Sequence, residues 1–372
     1  MEQNMALKIR IYPSNEQKIM LNKNFGCARY MYNELLSQYH KTGKVSSYKD
    51  VYNDDNTWLR DADTSLYANV VMNLKKAIKN YYSNRLHYNE PTYKTKHNKK
   101  QSYTTNVTNS NSRVIDNKHI RIPKIGKLRV KVHRNIPEDY KLKSVTISKE
   151  VDGKYYASLL YEYYEKSCEK QADNNFTCTL GIDYNMAHLG VLSNGEYIDY
   201  PQFMKKNLSK LQELERKLSL CIPKSNNWYK RKNDLDRLHI KIRNSRRDFL
   251  NKKALELATR YDIITIEDLD LQEMSKHNHY GKSIYDNSYN MFINKIKYKL
   301  DQGCKKLIKV NRYYPSSKRC SNCGKIVEKL ELSTRVYTCD CGNKMNRDVN
   351  AAMNIAIEGF RLIAMKNIEQ TI

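Results

Sequence analysis

The first dozen residues alternate between apolar and polar positions. In ALKIRIYP, Leu7, Ile9 and Ile11 fall on one face and the basic residues on the other, which predicts a strand with a core side and a basic side. Pro13 and Ser14 end it. Ser14 with Gln17 forms a capping box that opens a helix running toward Gly43. A second helical pattern covers about 65–86, and YKTKHNKKQS after it is a basic stretch without periodicity. From Tyr103 to Tyr164 the period of two returns, with VTISKEV and KYYASLLYEYY joined through Asp152-Gly153, a hairpin signal. The pattern predicts a small β-barrel or twisted sheet that takes ALKIRIYP as its first strand and is interrupted by a helical block. The linker KSCEKQADNN closes it.

The second half reads differently. Thr177 to Ile182 is a buried-type strand ending in Asp183, and HLGVLS and EYIDY follow as strands joined by an Asn194-Gly195 turn. Three consecutive antiparallel strands with an acid on the first open a sheet of RNase H-like type. About 207–261 is helical and heavily charged, broken near CIPKSNN by Pro223, and reads as a two-helix hairpin that is either a solvated arm or a basic surface along a duplex. IITIEDL is a short buried strand presenting Glu267 at its end. The polar stretch QEMSKHNHYGKSIYDNS reads as a mobile loop, and the part from His277 to Asn287 as a lid. A helix around Met291 to Leu300, a strand LIKVN, a cysteine cluster and a helix from about Asn350 complete the order.

Bulk properties narrow the function. A chain of 372 residues accommodates two or three domains. Its 66 Lys and Arg against 40 Asp and Glu leave a formal charge of +26, spread along the chain, for which a nucleic acid is the natural counter-charge and a solvated basic surface the plainer alternative. Thirty tyrosines supply faces on which bases stack, or core residues in a composition rich in Lys, Asn, Ile and Tyr. No apolar stretch is long enough to span a bilayer and MEQNMALKIR lacks a signal-peptide core, so the expectation is a cytosolic protein with no membrane partner. Nine cysteines in a reducing compartment argue for metal or free thiols over a disulfide framework.

Four of those cysteines cluster: Cys320 and Cys323 in RCSNCG, Cys339 and Cys341 in TCDCG, separated by a β-like segment that includes RVYT. Two such pairs close a tetrahedral thiolate site of the kind Zn²⁺ prefers, and four sulfurs leave no open position, so the zinc is structural. The candidate catalytic groups are three carboxylates at element boundaries: Asp183, Glu267 and Asp348. Phosphodiester hydrolysis needs an activated water and stabilised charge on the attacking and leaving oxygens, and two Mg²⁺ ions bridged by carboxylates provide both. Any one of the acids, Asp348 especially, could instead be a surface or helix N-terminal charge.

Taken together, GIDYNMAHLGVLSNG, IITIEDLDL and NRDVNAAMNIA, with RCSNCG and TCDCG between the last two, resemble the three split RuvC motifs and inserted zinc ribbon of TnpB proteins, RNA-guided DNA endonucleases of insertion sequences related to type V CRISPR effectors. LKIRIYPSNEQ and NFGCARYMYNELL resemble that family's opening, so the likeness covers nearly the whole chain. It implies an α+β multidomain fold: a wedge-type β-barrel over 1–12 and 103–172, a helical recognition domain over 13–102, and an RNase H-like (RuvC) α/β nuclease domain over 173–372 with a zinc ribbon at 313–344. It further implies that Asp183, Glu267 and Asp348 are the catalytic magnesium ligands and Cys320, Cys323, Cys339 and Cys341 the zinc ligands. Tyr184-Asn185 departs from the pair the family often carries after the first acid.

The resemblance implies cleavage of double-stranded DNA next to a short flanking motif, directed by a guide RNA from the element's own end, in a prokaryotic cytosol and on the nucleoid when bound to DNA. Asn69, Asn73 and Lys76 share a polar face of the second helix and either read that motif or are solvated. Arg347 either holds the scissile phosphate or pairs with an acid. The rival functions are a nuclease-inactive RNA-guided repressor, against which the presence of all three acids argues, and a strand-joining transposase, for which no tyrosine or serine stands in a marked nucleophile context. Monomer and homodimer are both open.

Overall fold

The alternation at the N-terminus produces strand β1 (Glu2–Tyr12), in which Met5, Leu7, Ile9 and Ile11 are buried and the residues between them exposed. The computed structural model describes residues 2–96, 101–108, 111–164, 178–276, 286, 288–331 and 334–369. The chain divides into two compact units, Met1–Ser167 and Cys168–Ile372.

In the first unit β1 lies inside a seven-stranded antiparallel sheet. The other strands are β2 (Gln101–Asn106), β3 (Arg113–Asp116), β4 (His119–Ile122), β5 (Gly126–Lys131), β6 (Lys141–Lys149) and β7 (Tyr155–Tyr164), in the order β2-β6-β7-β1-β5-β4-β3. Among the described residues no ladder joins β2 to β3. Between β1 and β2 run the helices α1 (Asn15–Thr42), α2 (Tyr48–Val51) and α3 (Thr64–Ser83). The capping box forms as its residues require: Ser14 Oγ accepts from the Gln17 backbone N–H, and the Gln17 side chain accepts from the Ser14 N–H. Leu21, Leu35, Leu36, Leu66 and Leu74 of these helices share one apolar core with Ile9, Ile11, Val145 and Leu159 of the sheet. The helices are therefore held to the sheet by burial of a common face.

The second unit is built on a five-stranded sheet, β8 (Thr179–Asp183), β9 (Gly190–Leu192), β10 (Tyr197–Ile198), β11 (Ile263–Glu267) and β12 (Lys306–Val310), ordered β10-β9-β8-β11-β12. β9 and β10 are antiparallel additions, while β8, β11 and β12 run parallel. Parallel neighbours need long crossovers. The one from β8 to β11 contains α4 (Phe203–Lys206), α5 (Leu208–Ser219) and the 35-residue α6 (Asn226–Arg260); α5 and α6 pack through Leu211, Leu238 and Ile242, with the break at Pro223 between them. The one from β11 to β12 contains α7 (Leu271–Lys276) and α8 (Tyr289–Gln302).

Strand parity decides what lies on each face. Leu180, Ile182, Ile264 and Ile266 join one core with Leu250 and Leu257 of α6 and Phe292 and Ile296 of α8. Gly181 and Thr265, one step out of phase, meet the last helix, α9 (Arg347–Glu369), on the other face. A Cβ on Gly181 would stand 2.0 Å from the Ala352 carbonyl oxygen, and a Cβ on Gly359 would stand 2.0 Å from Thr265 Oγ1. Both contacts exist only because glycine has no side chain. The expected lid at His277 to Asn287 lies outside the described residues apart from Asp286. No helix among the described residues is long and apolar enough to cross a membrane.

Candidate active site and metal centre

Asp183 and Glu267 end two adjacent parallel strands. With Ile182 paired to Ile266, the two acids occupy equivalent positions at the carboxyl edge of the sheet, which is where open α/β sheets bind ligands. By parity they project toward the face that carries α9. Asp348 is the second residue of that helix, and the Gly181 and Gly359 contacts hold the helix against β8 and β11. The three acids thus meet for backbone reasons, although some 165 residues separate the first from the last.

Their mutual influence is explicit. Burial raises the Asp183 carboxyl well above the usual carboxylate range, and the charges of Glu267 and Asp348 raise it further, against a smaller opposing effect of Arg347. Burial also raises Glu267, partly offset by Ser316, whose hydroxyl donates to Glu267 Oε1 at 2.5 Å. Asp348 Oδ2 accepts from Asn185 Nδ2 at 3.0 Å. The acid next to Glu267 in sequence, Asp268, is turned away and paired with Lys309 at 2.8 Å. Such a cluster of carboxylates is unfavourable when ionised and becomes favourable beside a cation, and its donors are all hard oxygens, which fit Mg²⁺.

The thiols form the second centre. β13 (Val336–Thr338) and β14 (Lys344–Asn346) make a two-stranded ribbon, and the knuckle turns after the cysteine pairs place Gly324 and Gly342 at φ of 78° and 87°, a region that favours glycine. All four sulfurs lie within 4.8 Å of one another, with Cys320 to Cys341 at 3.7 Å and Cys323 to Cys339 at 3.6 Å. Tetrahedral corners at a Zn–S distance of about 2.3 Å stand about 3.8 Å apart, so the cluster has the dimensions of a four-thiolate zinc site. Asn343 Nδ2 donates to Cys320 Sγ at 3.4 Å. Although burial opposes ionisation of Cys320, backbone and Asn343 donors prevail and lower its thiol to about 6.

The two centres are joined by buried amides that sequence reasoning missed. Asn350 and Asn354 are 0% and 1% exposed, and both donate to the Arg319 carbonyl, at 2.7 and 2.6 Å. Asn350 Oδ1 also accepts from the Ser321 N–H at 3.0 Å, and Asn354 donates to the Ser316 carbonyl at 2.8 Å. The first turns of α9 therefore grip the first cysteine knuckle and the residue that bonds Glu267. The available signal was the i, i+4 spacing of two asparagines in an alanine-rich helix. Asn185, the apparent departure after the first acid, is likewise a connector: its Oδ1 accepts from the backbone N–H groups of Ala187 and His188 while its amide reaches Asp348.

The remaining candidates fall into place unevenly. Arg347 Nη1 donates to the carbonyls of Glu331 and Thr334 at 3.1 and 3.4 Å, while its charge acts on Asp183. In the first unit Asn73 and Lys76 are exposed on α3, but Asn69 does not share their solvated face. It is 7% exposed, and its Nδ2 donates to the carbonyls of Ser65 and Thr104 and to Asn106 Oδ1, because α3 needs a polar partner where it packs on β2. Asn69 and Asn73 line a cavity of about 270 Å³ with Arg29, Lys94 and Gln101.

Three family models match parts of the chain. Residues 158–278 match the family OrfB_IS605, described as "Probable transposase", and residues 289–355 match a "Cas12f1-like, TNB domain". Residues 1–44 match a "Helix-turn-helix domain" of OrfB_IS605, although here they form β1 and the single long helix α1. A protein of Streptomyces pristinaespiralis named "Putative RNA-guided DNA endonuclease" is 29% identical across 95% of this chain and 89% of its own length. Over nearly its whole length the chain is thus similar to proteins named as RNA-guided DNA endonucleases. A second relative, InsQ of Escherichia coli K12, with the same description in its name, is 27% identical over all of this chain and 96% of its own. The solved complex of Cas12f1 with single guide RNA and target DNA aligns with 96% of this chain and 98% of its own at a TM-score of 0.56 and 14% identity, a likeness of α+β fold.

Proposed function

We propose that this chain is a TnpB-type RNA-guided endonuclease of a transposable element that cuts double-stranded DNA by hydrolysis at a RuvC-type site. The observation that carries the reading is the convergence of Asp183, Glu267 and Asp348 at one sheet edge, where burial and mutual charge leave Asp183 in need of a cation. Full-length similarity to proteins named as RNA-guided DNA endonucleases supports the same activity.

In this reading residues 1–12 and 103–172 are a wedge domain with a helical recognition domain (13–102) inserted, and residues 173–372 are the nuclease with its ribbon at 313–344. A guide RNA and a target duplex are the partners, and a net charge of +26 supplies the counter-charge for both. Base pairing with the guide reads the target, while Asn73 and Lys76 contact the flanking motif, so that the protein itself has only a short sequence to recognise. Two Mg²⁺ ions, when bound, would activate water and neutralise the leaving oxygen. Asp183, Glu267 and Asp348 would hold them, Ser316 and Asn185 fix the orientation of the last two carboxylates, and Arg347, whose charge acts on Asp183, would attract the phosphate. The cysteine site holds Zn²⁺ and takes no part in bond cleavage.

The test is cleavage of a plasmid library with a guide-matched target and randomised flanks, by protein co-expressed with the RNA of its element's end, in Mg²⁺. Cleavage by the wild type and none by Asp183→Ala is expected. Guide-dependent binding without cleavage by the wild type would replace this reading with that of a repressor.

A further inference from the structure

Of the three acids, two have a neutral donor of their own. Ser316 serves Glu267 and Asn185 serves Asp348. Among the described residues no side chain hydrogen-bonds the Asp183 carboxylate. The residue after Asp183, Tyr184, packs against a residue of α8 that has a spare donor. Tyr289, the first residue of α8, is 3% exposed, and its hydroxyl is buried with no hydrogen-bond partner among the described residues. Its ring packs 4.5 Å from that of Tyr184, the residue following Asp183, and 6.5 Å from that of Phe292. The charges of Asp183 and Glu267 both act on it.

A buried hydroxyl without a partner is destabilising, and buried polar groups in native proteins are nearly always satisfied. Packing alone would be served as well by phenylalanine, which has the same shape without the cost. An unpaired donor adjacent to an unpaired acceptor is instead what a site holds ready for its loaded state. We propose that Tyr289 is a positioning residue of the nuclease site, its O–H donating to the Asp183 carboxylate, or to a water held by it, when the acids are ionised around their metal. This rests on the endonuclease reading above and adds to it a residue from α8, an element that contributes none of the acids. Fixing Asp183 through a neutral donor leaves the charge of the cluster unchanged, which a lysine in that place would not.

The experiment compares wild type, Tyr289→Phe and Asp183→Ala as guide RNA complexes. Single-turnover cleavage is measured across a Mg²⁺ titration, and the melting temperature of the protein is measured without metal and with increasing Mg²⁺. For Tyr289→Phe the expectation is unchanged target binding, a metal-free melting temperature equal to or above wild type, cleavage lowered about 10- to 100-fold, and a higher Mg²⁺ concentration for half-maximal rate and for half of the thermal shift. Wild-type cleavage with wild-type Mg²⁺ dependence in Tyr289→Phe would overturn the proposal. So would a lower metal-free melting temperature with an unchanged Mg²⁺ midpoint, because it would assign Tyr289 to packing. If the wild type itself fails to cleave, the endonuclease reading fails, and the Mg²⁺-dependent thermal shift still decides whether Tyr289 serves the carboxylates.

Discussion

Replacing Gly181 by alanine adds one methyl group to the contact that sets the distance between β8 and α9. The new Cβ would lie 2.0 Å from the Ala352 carbonyl oxygen, 2.7 Å from the Ala356 nitrogen and 3.0 Å from the Ala356 Cβ. Ordinary contact begins near 3.4 Å, so strand and helix must separate by about 1.4 Å, and the obstructing atoms are mainly helix backbone that no rotamer can withdraw. Asp183 lies two residues further along the strand, and Asp348 one turn before Ala352 on the helix. The separation therefore opens the carboxylate cluster directly. Overpacking of this kind costs about 1–3 kcal/mol of stability. A misplacement of about 1 Å in reacting groups costs about 100-fold in rate. Gly181→Ala is expected to remain folded with a lowered melting temperature, to bind guide and target, and to cleave about 100-fold more slowly under saturating Mg²⁺. Gly303→Ala is the control, since its Cβ would meet nothing closer than 3.6 Å, at the Lys305 side chain. Cleavage by Gly181→Ala at the wild-type rate, with the melting temperature lowered as expected, would refute the claim that this backbone contact positions the acids.

Three further outcomes follow from the geometry. Because the folded-state carboxyls of Asp183 and Glu267 are raised, the metal-free native protein retains protons that the unfolded chain releases above about pH 4, so its stability falls as pH rises through the raised values. Asp183→Asn should therefore raise the melting temperature of metal-free protein at neutral pH, flatten its decline as pH rises above the ordinary carboxylate range, and abolish cleavage; calorimetry at several pH values checks this. Ser316→Ala removes the donor to Glu267, and cleavage should fall about 10-fold while target binding is unchanged; equal cleavage would show that the short contact is incidental. Chelating the ribbon metal, or making Cys339→Ser, should release Ser316 and the first turns of α9 and abolish cleavage more completely than it weakens guide-dependent binding. Zn²⁺ but not Mg²⁺ should restore the chelated protein, and recovery with Mg²⁺ alone would disconnect the ribbon from the acids.

Whatever rests on periodicity or on fixed spacing is legible in the chain. The alternation of Leu7, Ile9 and Ile11, the Ser14–Gln17 cap and the hairpin at Asp152-Gly153 are local, and each marks an element of the structure. The four cysteines are recognisable because a tetrahedral site constrains their spacing. The placement of Asp183, Glu267 and Asp348 at strand ends and a helix head is legible from the apolar runs that precede or follow them. The connectors are not. Gly181 and Gly359 carry no pattern, since a close approach is a property of two elements and sequence presents one at a time. Asn185 reads as a deviation and Asn69 as a surface residue because a polar side chain gives no sign of being buried until its partners, Asp348 in one case and β2 in the other, come from distant segments. Tyr289 is one tyrosine among thirty.

The separation of faces in the second unit has a practical corollary. Main-chain atoms at Gly181 and Ala352, and Thr265 against Gly359, act as a hard stop on the side that bears the acids, whereas the opposite side is filled by deformable aliphatic and aromatic groups from α6 and α8. Volume changes on that softer side can be absorbed by repacking without being transmitted through the stop. Laboratory stabilisation should accordingly begin at Leu250, Leu257 and Ile296 and leave the glycine side untouched.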